Sequence, residues 1–428
     1  MYLKSIKPHF KTYFINLLFL LIPISFVVGN LILNLNILLF ITTAFIFYRT
    51  DIFKIKICLL DKLIIIFFSY AFLVGFFNTI NSYYFENSSK NLIVIIKTIS
   101  YLRFLIFYFV IRYLINKNLI NLKNFFISSS LCSIFVSFDL IYQLSFGKDI
   151  LGYTPVSPRV LSGPFGDEPI AGSYLQRFSL FLFFLFPVFF KIKNKNILQL
   201  ISITFIILII FASIIAGNRM PFILLILIMT LVILFDSNSR KYLISFIFFS
   251  LIIFSITFKF NSHVYVHFHN FLEKGSEIVT ALQKGAKFQY PVFGTHYKEF
   301  YTGYETWKEN KLFGGGIKSF KYNCSKKLIN CGNHPHNYYL EILSDLGLIG
   351  FLILSIIFTK VLYDTFIKKY FFKSNLKHNH IITPFIFLFF AEIFPLKTTG
   401  SFFTTGNATY FFLIMALTIA LSKEQNLN

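Results

Sequence analysis

Charge is what this sequence has least of. Only 14% of its 428 residues are Asp, Glu, Lys or Arg, against about a quarter in average soluble domains. With 56% hydrophobic residues and 61 Phe, the chain cannot cover a folded surface with polar groups, which excludes an ordinary soluble globular class. Acidic residues are scarcer still: 18 Asp+Glu stand against 40 Lys+Arg, a formal charge of +22. In a soluble protein that imbalance would point to nucleic acid. There is no internal repeat, no low-complexity linker, and no arginine after Arg240. No small-residue cleavage site follows the first apolar run, where Gly29-Asn30 leads straight into a second, so a signal anchor is expected rather than a removable signal peptide.

What the chain does have is long apolar runs. A helix crossing the hydrocarbon core needs roughly 20 mostly apolar residues, because each backbone amide must be satisfied within it. About twelve such segments are expected, near 13–29, 31–48, 60–79, 92–114, 124–145, 174–190, 197–216, 221–235, 242–258, 338–362, 381–396 and 408–422. The 338–362 segment reads as bipartite, with Glu341 and Asp345 near its start and an apolar half from Leu346 to Leu362. The expected class is therefore an all-α polytopic membrane protein. Its organisation is a helical portion 1–258 with an outer loop at 146–173, a large periplasmic loop 259–337 before the tenth helix, and a helical portion 338–428.

The basic residues then sort by side. Connections holding Lys4, Arg49, Lys117, Lys191, Arg240, Lys368 and Lys423 with their basic neighbours alternate with connections holding only Lys90, Lys148, Arg159, Arg219 and Lys397. The positive-inside bias puts the first set, and both termini, in the cytoplasm. Much of the +22 is thus an orientation signal, and a nucleic-acid partner is not expected. Function is sought in the two long outer loops, because long ordered loops in compact proteins usually carry it.

The large loop ends on Phe313-Gly-Gly-Gly-Ile-Lys-Ser-Phe320-Lys-Tyr-Asn-Cys324, then Cys331-Gly-Asn-His334-Pro-His336-Asn337-Tyr-Tyr-Leu-Glu341, directly before a span. Two imidazoles and an amide at the mouth of a helix can either cap it or do chemistry, since histidine titrates near neutrality and can take a proton from a hydroxyl. The string from His334 to Glu341, followed by Gly347-Leu-Ile-Gly350, resembles the signature of the O-antigen ligase and polymerase superfamily. Trp307 with Gly314–Phe320, and Arg159-Val-Leu-Ser-Gly163 through Gly172 in the earlier loop, are similar to the polymerase-type members. The resemblance covers about 155–355 and does not separate ligase from polymerase.

That resemblance implies a GT-C-like helical architecture in a bacterial inner membrane and glycosyl transfer at its periplasmic face. The donor would be a glycan on undecaprenyl diphosphate, and the acceptor lipid A–core or a second lipid-linked repeat. No metal or other cofactor would be needed. Carried over, His336 becomes the base, with His334 and Asn337 supporting it. The diphosphate requires outer-face cations: Arg219 first, on a very short outer turn, then Arg159 and Arg177. A family arginine expected in the large loop is missing, and Lys318 and Lys321 stand near its place, able to hold phosphate as point charges but without the guanidinium fork. The alternative class is a non-enzymatic transporter or flippase of lipid-linked saccharide, which would line a path near the bilayer midplane.

Other residues leave choices open. Cys324 and Cys331 share an oxidising compartment and fit a disulfide; with His334 and His336 they form a rival metal set whose spacing matches no usual zinc pattern. His263, His267 and His269 alternate as a possible ligand face or as an aromatic segment leaving the membrane. Tyr297, Phe300, Tyr301, Tyr304 and Trp307 recur at helical spacing, either to stack on sugars or, preferably, to pack a helix on a membrane surface or loop core. Within the spans, Arg103 and Asp139 are expected to pair.

Overall fold

The structure is a computed structural model; it describes residues 10–81, 90–155, 160–190, 194–260, 294–324, 331–373 and 381–422, with scattered positions between 264 and 283. Every regular element among the described residues is helical. In chain order the helices used below are α1 (Phe10–Val28), α2 (Asn30–Tyr48), α3 (Leu59–Asn81), α4 (Lys90–Asn116), α5 (Leu122–Phe146), α6 (Ala171–Leu185), α7 (Lys195–Ile215), α8 (Arg219–Phe235), α9 (Ser237–Leu243), α10 (Ser245–Phe260), α11 (Gly294–Glu309), α12 (Phe320–Cys324), α13 (Tyr338–Leu362), α14 (Thr383–Glu392) and α15 (Thr405–Leu421).

Local chemistry sets several boundaries. The Asn121 side chain accepts the Lys123 amide at 3.0 Å to open α5, and Gly147, at φ 74°, closes it in the left-handed region that glycine tolerates. Asn194 caps α7 in the same way. Eight candidate spans, α1 to α7 and the run Tyr338–Tyr370, are long and apolar enough to cross a membrane; α8, α14, α15 and Phe248–Phe260 are apolar but shorter. The twelve apolar segments expected from the sequence thus each coincide with a helix, eight of them at full spanning length.

Burial separates the helices into two classes. Every position of α6 except Ser173, and every residue of α15 from Ala408 to Leu421, is buried, as expected of helices enclosed by others. In contrast α1, α2 and α3 keep large apolar side chains such as Leu31, Ile46 and Phe77 exposed, the pattern of a lipid-facing ring. The enclosed helices pack on α5, α4 and α14, and α13 packs on α3 and α11. Polar groups lie within or at the ends of these enclosed helices: Arg177 on α6, Glu392 at the end of α14, and Asn407 in the first turn of α15.

The helix α13 is two helices joined at a break. Gly347 has φ 66° and ψ −171° within an otherwise helical run, and the freed groups are bonded by the segment that precedes α12. Leu348 and Ile349 amides donate to the Lys311 and Leu312 carbonyls (2.8 and 3.2 Å), while Gly315 and Gly316 amides donate to Ser344 and Asp345 (3.3 and 2.7 Å). The two backbones touch: a Cβ on Gly347 would lie 2.3 Å from the Leu312 oxygen, and one on Gly314 would lie 2.5 Å from the Asp345 carbonyl. Only glycine permits this approach. Irregular backbone inside a membrane protein is tolerated where protein satisfies it, and the bipartite reading of 338–362 now has its cause.

Candidate functional site

Pro335 and Asn337 define how the loop enters α13. Asn337 is the N-cap: its side-chain oxygen accepts the Tyr339 and Leu340 amides at 3.0 and 3.2 Å. Its amide nitrogen donates to the Pro395 carbonyl at 2.8 Å, and the His336 carbonyl accepts the Thr399 amide at 3.0 Å. The histidine turn is therefore fastened to the 393–404 connection between α14 and α15. His336 holds φ 52°, a conformation uncommon outside glycine that the flanking cap and loop impose.

The two imidazoles lie ring to ring, with centroids 4.2 Å apart. Their environments differ. His334 has a buried Nε2 without a hydrogen-bond partner, and burial, with His336 and Lys318 adding their charges, drives its pKa down to about 4. It is a neutral ring at pH 7. His336 is partly exposed, and its Nε2 faces Glu299 Oε1 of α11 at 3.5 Å. A carboxylate there stabilises an imidazolium, which is what a proton-accepting ring becomes.

Around this turn the cations gather. The Lys318 side chain donates to Ser401 and stands 3.7 Å from Glu341, while its backbone amide, at φ 65°, donates to Asp345 at 2.7 Å. Asp345 also accepts the Phe320 amide (2.9 Å) and the Ser319 hydroxyl (3.1 Å), so this carboxylate caps α12. Glu341 accepts from Ser401 and, at 2.6 Å, from the Phe402 amide. Arg177 donates to Glu392 at 2.8 Å and to Asn407 at 2.8 Å, with its guanidinium 4.7 Å from the Tyr410 ring centre. Lys397 donates to the same Glu392 at 2.7 Å, and Tyr338 donates to it at 2.8 Å. Arg103 donates to Thr405 at 3.1 Å. Burial lowers the Lys397 pKa to about 8, against the pull of Glu392 and with the push of Arg177; it remains charged at neutral pH.

Four cations, Arg103, Arg177, Lys318 and Lys397, are thus fastened to the stretch 392–407, with three buried carboxylates, Glu341, Asp345 and Glu392, among them. Glu392 is shared by two buried cations, Arg177 and Lys397, while Lys318 and Arg103 are partly exposed. Two buried cations on one carboxylate are costly unless something neutralises the excess, so the surroundings of Glu392 are suited to receive an anion.

Of the residues singled out from the sequence, His334, His336, Asn337 and Lys318 come together here. Arg177 is nearly enclosed and committed to Glu392. Lys321 is exposed on α12. Arg219 opens α8 and is partly exposed; the preceding Asn218 accepts the Gly172 amide and donates to the Pro169 carbonyl, both at 2.9 Å, tying that turn to the start of α6. Arg159, His263 and His267 lie outside the described residues. The expected Arg103–Asp139 pair is corrected: Arg103 goes to Thr405, and Asp139 accepts the Ile150 amide at 2.8 Å. Cys324 and Cys331 are joined as a disulfide with Cα atoms 6.0 Å apart, which uses both sulfurs of the rival metal set. Among the described residues no group of three or more His, Cys, Asp or Glu is placed to hold a metal. Lys397, Glu299 and Ser401 were missed. Lys397 reads in sequence as a lone outer-connection lysine, and only its position in a connection otherwise poor in charge marks it.

Fold and site define a multi-pass helical membrane protein with a buried, cation-rich polar site at one end of its bundle. Residues 203–355, a little over a third of the chain, match the family described as O-antigen ligase, which supports the O-antigen ligase/polymerase superfamily. The match runs from α7 through the histidine turn to beyond the Gly347 break. No curated protein matches the chain.

Proposed function

We propose that this chain is a glycosyltransferase of the O-antigen ligase or polymerase type, with about twelve spans in a GT-C-like arrangement. It would work at the periplasmic face of the inner membrane, with both termini cytoplasmic. It moves a glycan from undecaprenyl diphosphate to a hydroxyl of lipid A–core or of a second lipid-linked repeat. The observation that carries the reading is the juxtaposition, within or beside the matched region, of a histidine able to take a proton and a cluster in which two cations, Arg177 and Lys397, meet the one carboxylate of Glu392.

The chemistry is a single displacement at the anomeric carbon. His336 takes the acceptor hydroxyl proton while that oxygen bonds to the anomeric carbon. The bond from that carbon to the phosphate oxygen breaks, and its electrons leave with the diphosphate. Glu299 faces the imidazolium so formed; His334, held neutral, packs on its ring, and Asn337 fixes the turn. Lys318, with Lys397 behind it and Arg219, Arg159 and Lys321 as outer contributors, offsets the charge that develops on the leaving group. Arg177 keeps Lys397 and Glu392 in place. Activating the nucleophile and stabilising the leaving group require no metal in this scheme.

A break in a spanning helix is also a feature of transporters, where unwound helices bind substrate near the midplane. Here the gap at Gly347 is filled by the Lys311–Gly316 backbone, which favours the surface reaction over passage. The test is His336→Ala in a deletion strain, read on a gel of the surface glycan. The reading requires loss of transfer with membrane insertion unchanged; an active, well-inserted variant would sink it. The deletion itself separates the two types, since loss of all chains marks a ligase and a single-repeat band marks a polymerase.

A further inference from the structure

The helix α11 has two working faces. On one, Thr302 and Thr306 are buried, and Gly303 rides directly on the histidine turn, where an added Cβ would come 2.8 Å from Pro335 Cβ and 3.2 Å from Leu340 Cβ. Glu299, which faces His336, belongs to this side. Of the aromatic stripe, Tyr301 and Tyr304 are 44% and 46% exposed, and small residues make the close approach to the histidine turn.

On the adjoining face Tyr301, Glu305, Lys308 and Glu309, spaced to share one side of a helix, open with Thr306 at the boundary onto a cavity of about 390 Å³ that is closed by Asn323 and the disulfide's Cys324. That volume lies within the roughly 300–1,000 Å³ of small-molecule sites. The lining says what kind of ligand fits. The one lysine that lines it is already 2.6 Å from Glu305, so an anion is disfavoured. A purely apolar ligand would strand those carboxylates and the Asn323 amide. A sugar matches all of it: one face of C–H groups for an aromatic ring, and a rim of hydroxyls that donate to carboxylates and exchange bonds with an amide.

We propose that this cavity is a saccharide subsite that holds an uncharged stretch of glycan by stacking on Tyr301 and hydrogen bonding to Glu305, Glu309 and Asn323. It rests on the transferase reading above. It adjoins the histidine-facing side of α11 and is lined by neither His334 nor His336, so it grips residues beyond the reacting sugar. Binding energy gathered there holds long chains in place.

The chain carries its own reporter. Trp307 is the sole tryptophan, on α11 with its ring 5.7 Å from that of Tyr304. The full-length protein in phosphatidylethanolamine/phosphatidylglycerol nanodiscs is titrated with free oligosaccharide, released by mild acid from the source cells' own surface glycan. Trp307 fluorescence is followed. The expected result is a saturable change that His336→Ala leaves intact, that Tyr301→Ala weakens at least tenfold, that Glu305→Gln weakens severalfold, and that Tyr301→Phe preserves. An unliganded emission spectrum matching wild type confirms that each variant is folded. Unchanged affinity in folded Tyr301→Ala overturns the subsite. So does a wild-type signal that responds to lipid but not to oligosaccharide, which would assign this face to headgroups. Saturable binding in a protein that transfers nothing would defeat the transferase reading while leaving the subsite standing; transfer unaffected by Tyr301→Ala with no saccharide binding would do the reverse.

Discussion

Two buried ion clusters sit toward opposite ends of this bundle, and they are built on different arithmetic. Near the start of α3, Asp61 accepts from Arg112 Nη2 at 2.9 Å and Nε at 3.1 Å, from Tyr108 at 2.6 Å and from the Cys58 amide at 2.9 Å. One carboxylate meets one guanidinium, and both are at most 2% exposed. At the other end Glu392 is equally enclosed but meets two cations, Arg177 and Lys397, with Lys318 and Arg103 close along the same connection. The first cluster is balanced, one carboxylate to one guanidinium. Around Glu392 two cations meet one carboxylate, and that cluster lies beside two histidines. A balanced buried pair is explained by structure alone, whereas an unbalanced one asks for a ligand.

The largest effect should come from halving each pair. Asp61→Ala strands Arg112 in the core, and removing one partner of a buried pair costs about 3–5 kcal/mol; the expected outcome is loss of folded protein, read by detergent-extracted yield and thermal melting. Replacing both partners separates the clusters more sharply. Asp61→Leu with Arg112→Met should restore folding and keep transfer, because well-packed apolar substitutes for a buried pair are often neutral or stabilising. Glu392→Leu with Arg177→Met and Lys397→Met, which strands neither cation, should also fold yet lose transfer. Equal activity in these two combined variants would erase the distinction between the clusters.

How much of this was visible beforehand follows from the range of the interactions. The helices were legible because apolar runs are local: α5 was expected at 124–145 and spans Leu122–Phe146. The histidine turn was legible because His334, His336 and Asn337 adjoin one another and precede an apolar run. Arg177 and Glu392 are 215 positions apart, and no periodicity links them, so Arg177 was read as a phosphate ligand and its partner went unseen. Glu299 reaches His336 from a helix whose aromatic side drew the eye. The Gly347 break was half legible, since Asp345 marked where the apolar stretch changes, but the segment that fills it comes from a glycine run read only as part of a motif.

An intermediate effect is expected from Lys397, where charge and stability should move in opposite directions. Its pKa is near 8 in the fold and near 10.5 in an unfolded chain. Between those values the unfolded state binds more protons, so stability should rise with pH across the window. Over the same window the cluster loses a cation, so transfer should fall as pH passes about 8, mainly in kcat, because the charge developing on the leaving group is less well offset. Lys397→Met should remove both slopes, fold at least as well as wild type, and lower transfer on the order of 100-fold, in line with loss of one preorganised charge at a leaving group. An alkaline limb that survives in Lys397→Met would place the titrating group elsewhere.

The smallest effect belongs to His334, and its sign runs the other way. Its ring is held near 4, below the ordinary 6.5, by burial first and then by His336 and Lys318. As pH falls from about 6.5 toward 4, the unfolded chain takes up a proton that the folded ring refuses. The stability it contributes is therefore present above the unfolded value and is lost progressively across that window. His334→Gln, which keeps a polar planar group against the His336 ring but cannot titrate, should flatten the acid slope of the melting temperature and leave transfer at pH 7 within a fewfold of wild type. His336→Gln should abolish transfer instead. Swapped outcomes, with His334→Gln inactive and His336→Gln merely less acid-sensitive, would exchange the roles of the two rings and make the buried histidine, not the one facing Glu299, the proton acceptor.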